Sequence, residues 1–257
     1  MVDFYVYGVF LVAVAIGAWL QATSGFALGL IVMAIVQMSG VLSIAETAAA
    51  ISVLAFINIA VTLFDTYRDV DRRLFLFLSL GQLPAIALGI AVLNYLTREA
   101  TVILEIVFAL FLIVGSFALA INPTPRARRS NSLATTGVGF AGGIFGGMFA
   151  ASGPVVGWFA YRQPIVIASI RASLLAMLGV TTCTRTVLVW IDGIYSYTLL
   201  WIIAAAVPVV FISSYIAKRF RPKVTDRQFR RAIFSLVFLV GCWILSLAVI
   251  ELVTDSG

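Results

Sequence analysis

Long stretches without a charged side chain constrain this chain more than any other feature. They run between the following charged residues: Glu46 to Asp65, Arg73 to Arg98, Glu105 to Arg126, Asp192 to Lys218, and Arg231 to Glu251. Each approaches or exceeds the roughly 20 residues that an α-helix needs to cross the hydrocarbon core of a bilayer. Charged residues make up 11% of the chain, against about 25% in soluble domains. The sequence therefore predicts an all-α protein that crosses a membrane several times.

The basic residues are concentrated in the loops between the apolar stretches. Three loops carry them: residues 68–73, 126–129 and 218–231. Short loops rich in Lys and Arg stay on the cytoplasmic side of a membrane. Membrane topology therefore accounts for the net charge of +6, and we expect no nucleic-acid partner.

The chain divides into two similar halves around a polar linker at residues 122–131 (NPTPRARRSN), which holds two prolines and three arginines. We predict a first transmembrane repeat at residues 1–121 and a second at residues 132–257. The order of apolar segments is the same in both, and GFALG at 25–29 resembles GFAGG at 139–143. Duplicated halves of this kind are common in secondary transporters.

The loop charges also predict an unusual element at the start of each half. All three basic loops can be cytoplasmic only if the chain from Leu133 to Ala160 leaves and returns on the same side. We therefore expect a hairpin of short helices that turns near residues 146–153, and an equivalent hairpin over residues 4–39. Three spanning helices follow each hairpin, the two repeats have inverted topology, and both termini are periplasmic. The alternative is one long tilted helix from Leu133 to Ala160.

The glycine-rich stretch GFAGGIFGGMFAASGP that opens the second half, together with the duplication, resembles the sulfite exporter TauE/SafE family of bacterial anion transporters. The resemblance implies a secondary transporter in the bacterial inner membrane, usually an exporter, for sulfite, organosulfonates or related small sulfur oxyanions. One difference is Val155 after Gly153-Pro154, where the family often has a second proline. The alternatives are an importer of a related anion and a structural or assembly subunit without transport.

An anion inside a bilayer needs donors that replace its water, and helix N-termini supply them. Ser152 and Gly153 fit this need if Ser152 caps the second arm of the hairpin. The equivalent in the first half is the segment Gln21–Gly25 (QATSG), with Ser24 and Gly25 as the candidate contacts, or alternatively the segment at 38–40. These glycines could instead serve only helix packing.

The run of residues 181–186 (TTCTRT) is the most polar one inside an apolar segment. We interpret Arg185 as the counter-charge of the anion, with Thr182 and Thr186 one helical turn apart on nearly one face. The alternative is that Arg185 extends to the outer interface. Asn58, at the matching level of the first half, faces the same cavity or forms an interhelical hydrogen bond.

Glu46 and Arg171 lie near the starts of equivalent helices and are candidates for gating or proton coupling, or else for interfacial anchors. The chain has no histidine and two cysteines, which leaves few groups for catalysis or for binding a metal. We therefore expect neither an enzyme nor a cofactor. The expected partners are a small anion, membrane lipid and, in a homodimer, a second copy of the chain.

Overall fold

A computed structural model describes the backbone of residues 4–120, 124–219 and 227–255, and the side chains of residues 4–117, 124–219 and 234–253. Within these ranges the chain has no β-strand and forms ten α-helices: α1 Phe4–Ser24, α2 Leu28–Ser39, α3 Ile44–Leu63, α4 Arg72–Glu99, α5 Thr101–Ala120, α6 Ser132–Phe149, α7 Gly153–Ala160, α8 Ile167–Ile191, α9 Tyr197–Arg219 and α10 Arg227–Asp255. Among the described residues, seven helical segments are long and apolar enough to cross a membrane: α1, α3, α4, α6, α8, α9 and residues 234–253 of α10. The prediction of an all-α, multi-pass membrane protein is confirmed.

Each half opens with a helical hairpin. In hairpin 1, formed by α1 and α2, a methyl group on Gly17 would lie 3.0 Å from Cγ2 of Val32, so the two arms pack against each other. In hairpin 2, formed by α6 and α7, a methyl group on Gly142 would lie 2.6 Å from Cγ1 of Val156. The alternative of one long helix from Leu133 to Ala160 is wrong, because the chain reverses between α6 and α7.

The backbone takes up positive φ angles at both chain reversals. Hairpin 1 turns at residues 25–27, where Gly25 has φ +85° and Ala27 has φ +111°. Hairpin 2 turns at residues 150–152, where Ala150 has φ +52°. A non-glycine residue in such a conformation costs about 1–3 kcal/mol and persists only where the surroundings fix it. The segment at 38–40 is not the break of hairpin 1, since it forms the connection from α2 to α3.

The similarity between residues 25–29 and 139–143 does not mark equivalent positions. Residues 25–29 cover the turn of hairpin 1 and the start of α2, whereas residues 139–143 lie inside α6. The turn that corresponds to 25–27 is 150–152. The glycines at 139–143 instead allow α6 to pack closely on α4 and on α7.

The two halves pack on each other reciprocally. Helix α4 packs on α6 and α9 packs on α1, while α5 contacts α7 and α10 contacts α2. The third helices of each half, α3 and α8, run antiparallel, because Arg185 lies beside Ala48 whereas Gly179 lies beside Ile59. Two oppositely oriented halves would pack in this way. The orientation of each half relative to the membrane, and the division at residues 122–131, stay predictions.

Glycines bring α4 and α6 into backbone contact. A methyl group on Gly81 or Gly89 of α4 would clash with the carbonyl oxygen of Thr136 or Ile144, respectively. The same holds in reverse for Gly139 and Gly147 of α6, which lie on carbonyl oxygens of α4. Small residues allow such close approach in membranes, where van der Waals packing drives helix association. This contact holds hairpin 2 against the first half.

Candidate functional site

The two hairpin turns meet at a small cavity. Its volume is about 20 Å³, which is room for roughly one water molecule. Helices α1, α3 and α8 complete its walls. Its lining includes Gln21, Phe26, Ala55, Ser152, Gly153 and Thr182. The predicted meeting of the two interrupted segments is therefore present in the structure.

Phe26 joins the two hairpins. A methyl group on Gly153 would lie 2.9 Å from Cδ2 of Phe26, and one on Gly157 would lie 3.2 Å from Cε1. A larger residue at either of these positions of α7 would therefore crowd the Phe26 ring. At the same junction the Tyr161 hydroxyl donates to the carbonyl oxygen of Ser24 at 2.8 Å. Gly153 is therefore needed for packing against the Phe26 ring. It also lies at the edge of the cavity.

Ser152 occupies the N-cap position of α7 but does not cap it. Its φ of −71° and ψ of −15° are helical, whereas a capping residue is usually extended so that its oxygen reaches back to the free N–H groups. The predicted capping bond is therefore wrong. The Ser152 side chain is 1% exposed, and its Oγ has no hydrogen-bond partner within the described part of the protein.

Arg185 lies buried beside the cavity and does not extend to the interface. Its side chain is 1% exposed. Nε donates to the carbonyl oxygen of Gly147 at 2.9 Å, and Nη1 donates to the carbonyl oxygen of Ala48 at 2.7 Å and to Oγ of Ser52 at 2.6 Å. The interpretation of Arg185 as an interfacial residue is therefore excluded.

The charge of Arg185 has no anionic partner within the described side chains. The salt bridges among them are Arg129–Asp71 and Lys218–Asp65, and Nη2 of Arg185 has no hydrogen-bond partner there. Arg stays protonated in proteins, and the C-terminal end of α6 supplies only about half a negative charge through its free carbonyl groups. A buried cation left unpaired in this way is costly. The arrangement is suited to binding an anion.

The Arg185 side chain and the cavity lie one helical turn apart. Thr182 lines the cavity three residues before Arg185 on α8, and Ala55 lines it three residues after Ser52 on α3. The hydroxyl of Thr182 donates to the carbonyl oxygen of Leu178 at 2.8 Å, and that of Thr186 donates to the carbonyl oxygen of Thr182 at 2.7 Å. Both threonines thus bond within their own helix, and Thr182 is the one at the cavity.

Asn58 connects three helices. Its Nδ2 donates to the carbonyl oxygen of Ala18 at 3.0 Å and to Oε1 of Gln21 at 3.2 Å, and its Oδ1 accepts from Oγ of Ser214 at 2.8 Å. The interhelical hydrogen bond named as the alternative is therefore present. A role for Asn58 in substrate binding stays a prediction.

Ser24 and Gly25 lie at the turn of hairpin 1, outside the lining of the cavity. The Ser24 hydroxyl donates to the carbonyl oxygen of Leu20 at 2.7 Å. A methyl group on Gly25 would lie 3.2 Å from Cα of Arg171, so the structure brings Gly25 against the start of α8. The Arg171 side chain itself is exposed. Substrate contacts from this pair stay a prediction.

Glu46 forms a capping box at the start of α3. Its Oε2 accepts from the Ser43 backbone N–H at 3.1 Å, and its own N–H donates to Oγ of Ser43 at 3.2 Å. These bonds satisfy two N–H groups that the helix leaves free. They explain Glu46 as a structural residue, while gating or coupling by Glu46 and Arg171 stays untested.

Two residues near the site, Ser52 and Gln82, were not among the predicted site residues. Both are buried, and Gln82 accepts a hydrogen bond from Oγ1 of Thr181. A glutamine inside an apolar span is the signal that could have identified Gln82, whereas Gln21 belongs to the predicted segment Gln21–Gly25 and lines the cavity. Ser52 gives no such signal, because serine hydroxyls commonly bond within their own helix.

An ion pair between Asp71 and Arg129 connects the start of α4 to the linker between the two halves. Asp71 caps α4 through the N–H of Leu74 at 2.9 Å and accepts from Nη2 of Arg129 in the linker at 2.7 Å. Burial alone would raise the pKa of Asp71, but the bonds from Leu74 and Arg129 outweigh it and hold the pKa below the ordinary 3.8. Asp71 is therefore ionised at neutral pH and ties the linker to α4.

Comparison with known proteins places the chain among transporters. The family model described as "Sulfite exporter TauE/SafE" matches residues 9–244. The "Probable sulfite/organosulfonate exporter TauE" of Cupriavidus necator is 32% identical over 225 residues, which cover 88% of each chain. No solved structure matches the chain. The match spans both hairpins and the polar residues between them, and this chain belongs to the sulfite exporter TauE/SafE family.

Proposed function

We propose that this protein is a secondary transporter that exports small sulfur oxyanions, such as sulfite or organosulfonates, across the bacterial inner membrane. The observation that carries the proposal is the buried Arg185, which has no carboxylate partner among the described residues and lies one helical turn from the cavity between the hairpins. The family and the name of the Cupriavidus necator relative support the substrate class and the outward direction.

The proposed site replaces the hydration shell of the anion with fixed donors. Arg185 supplies the positive charge, Ser152 and Thr182 border the cavity, and the first N–H groups of α7 have no acceptor within their own helix. The cavity of about 20 Å³ has room for roughly one water molecule, so the site must widen before it can hold a sulfur oxyanion. Rocking of the two halves around this site would open it to either side in turn.

The test is transport by the purified protein in proteoliposomes. Export of sulfite should be saturable, and sulfate, sulfoacetate and taurine should be compared as competitors in the same assay. Inhibition by the anions that are carried, with no effect of an equimolar neutral solute, would support the proposal. A protein that binds and moves none of the four compounds would be a structural subunit or a carrier of another substrate, and the proposal would be wrong.

A further inference from the structure

Gln82 presents an unused hydrogen-bond donor inside the protein. It lies in α4 beside the proline at position 84, is 1% exposed, and its Oε1 accepts the hydroxyl of Thr181 from α8. Within the described residues, its Nε2 has no partner. Because Thr181 occupies one lone pair of the oxygen, the part of the amide left without a partner is its N–H side.

The hydroxyl of Ser152, which has no partner among the described residues, belongs to a side chain that lies near Gly142 and Gly146 of α6. The Gln82 amide lies near Gly142 as well. A methyl group on Gly142 would be 3.4 Å from Nε2 of Gln82 and 3.7 Å from Cβ of Ser152. A methyl group on Gly146 would be 3.7 Å from Oγ of Ser152 and 3.4 Å from Cγ2 of Thr181. Helices α4, α6, α7 and α8 thus converge on one polar patch, and the glycines allow the side chains of Gln82 and Ser152 to approach α6 closely.

This patch adjoins Arg185 along α6. Gly147, whose carbonyl oxygen accepts from Nε of Arg185, directly follows Gly146. Three donors therefore lie around one short stretch of α6: Nη2 of Arg185, Oγ of Ser152 and Nε2 of Gln82. All three are buried and have no hydrogen-bond partner among the described residues. Buried donors without acceptors are unfavourable and rare in folded proteins. A ligand with several acceptor oxygens would satisfy all three.

We propose that Gln82 and Ser152 form a second subsite for the anion, which recognises its oxygens while Arg185 neutralises its charge. This inference rests on the proposed function and adds Gln82 as a residue that determines specificity. The subsite suits an anion with three or more acceptor oxygens and no donor, such as sulfite, a sulfonate or sulfate. It disfavours a ligand that must donate a hydrogen bond at this position.

The test compares two variants of the subsite with a matched control in proteoliposomes. Gln82→Met keeps the length of the side chain and removes both N–H groups, and Ser152→Ala removes one hydroxyl. Gln37→Met is the control, because the Gln37 amide already donates to Leu42 and Thr47 of its own region. The readouts are the half-saturation concentration and maximal rate for sulfite, the inhibition constant of sulfate, and the melting temperature in detergent.

Each subsite variant should raise the half-saturation concentration for sulfite about tenfold, the effect expected for one hydrogen bond to a charged group. The maximal rate should change less, and the inhibition constant of sulfate should rise as well, because the subsite suits the oxygens of both anions. The control should stay within twofold of the wild type. A purely structural role would lower the amount of active protein and the melting temperature without raising either constant.

The outcomes separate this inference from the proposed function. If the wild type carries sulfite but neither variant raises its half-saturation concentration or the inhibition constant of sulfate, Gln82 and Ser152 do not bind the anion and the inference is wrong. If Gln82→Met does not fold, Ser152→Ala alone decides in the same way. A wild type that carries no sulfur oxyanion would overturn the proposed function and this inference with it.

Discussion

Arg185 donates from Nε to the carbonyl oxygen of Gly147 at 2.9 Å, which places a buried guanidinium at the C-terminal end of α6. The break in hairpin 2 creates this position, because an uninterrupted helix would use that oxygen for its own next turn. The same break places Ser152 at the cavity. One interruption of the chain thus positions both the charge and a hydroxyl beside it.

The contact between α4 and α6 should tolerate no added methyl group. We expect Gly139→Ala to lower the free energy of unfolding by about 1–3 kcal/mol or more, because its new methyl group would clash with the backbone oxygen of Leu78 and neither helix can yield easily. Thermal unfolding in detergent micelles measures the effect.

Gly137 on the same helix is the control. A methyl group there would meet nothing within 4 Å, so Gly137→Ala should stabilise the helix by about 0.5–1 kcal/mol. Equal effects of the two substitutions would mean that α4 and α6 are not in backbone contact.

The ion pair between Asp71 and Arg129 predicts a pH dependence of stability. The pKa of Asp71 is lower in the folded protein than its ordinary 3.8, so its contribution is complete at neutral pH and is lost as the pH falls well below 3.8. Asp71→Asn should therefore destabilise the protein at pH 7, by up to about 1 kcal/mol because Arg129 is partly exposed. Asp69→Asn, a change of an exposed neighbour, should have little effect at any pH. A destabilisation by Asp71→Asn that persists unchanged in acid would show that charge is not its cause.

The predicted orientation can be tested by labelling single cysteines in a chain whose Cys183 and Cys242 are replaced by alanine. A maleimide that does not cross membranes should label Asp192→Cys, between α8 and α9, in intact cells. It should label Arg128→Cys, in the linker, only after the cells are opened. Labelling of Arg128→Cys in intact cells would reverse the orientation or show that the positive-inside rule fails for this chain.

The sequence allowed prediction of the features that depend on hydrophobicity and loop charge. The all-α class and the break near residues 146–153 followed from the uncharged stretches and the three basic loops. Arg185 could be identified because an Arg inside an apolar span has few purely structural explanations.

The partners of these residues could not be predicted, because they come from distant parts of the chain. Gln82 meets Thr181 from α8, and Arg185 meets Ala48 from α3. The capping role expected of Ser152 failed because the chain enters α7 with helical dihedral angles. The similarity between residues 25–29 and 139–143 does not identify equivalent positions. Glycine allows a turn in the first segment and close helix packing in the second.

Sulfite transport by an Arg185 variant shows most directly whether this buried charge holds the anion. Wild type, Arg185→Gln and the control Arg98→Gln, which changes an exposed Arg at the end of α4, are compared in proteoliposomes at equal amounts of folded protein. We expect Arg185→Gln to lose sulfite flux to the level of empty vesicles while remaining folded, and Arg98→Gln to keep the flux of the wild type. Undiminished flux with Arg185→Gln would contradict the central claim that this buried charge holds the anion.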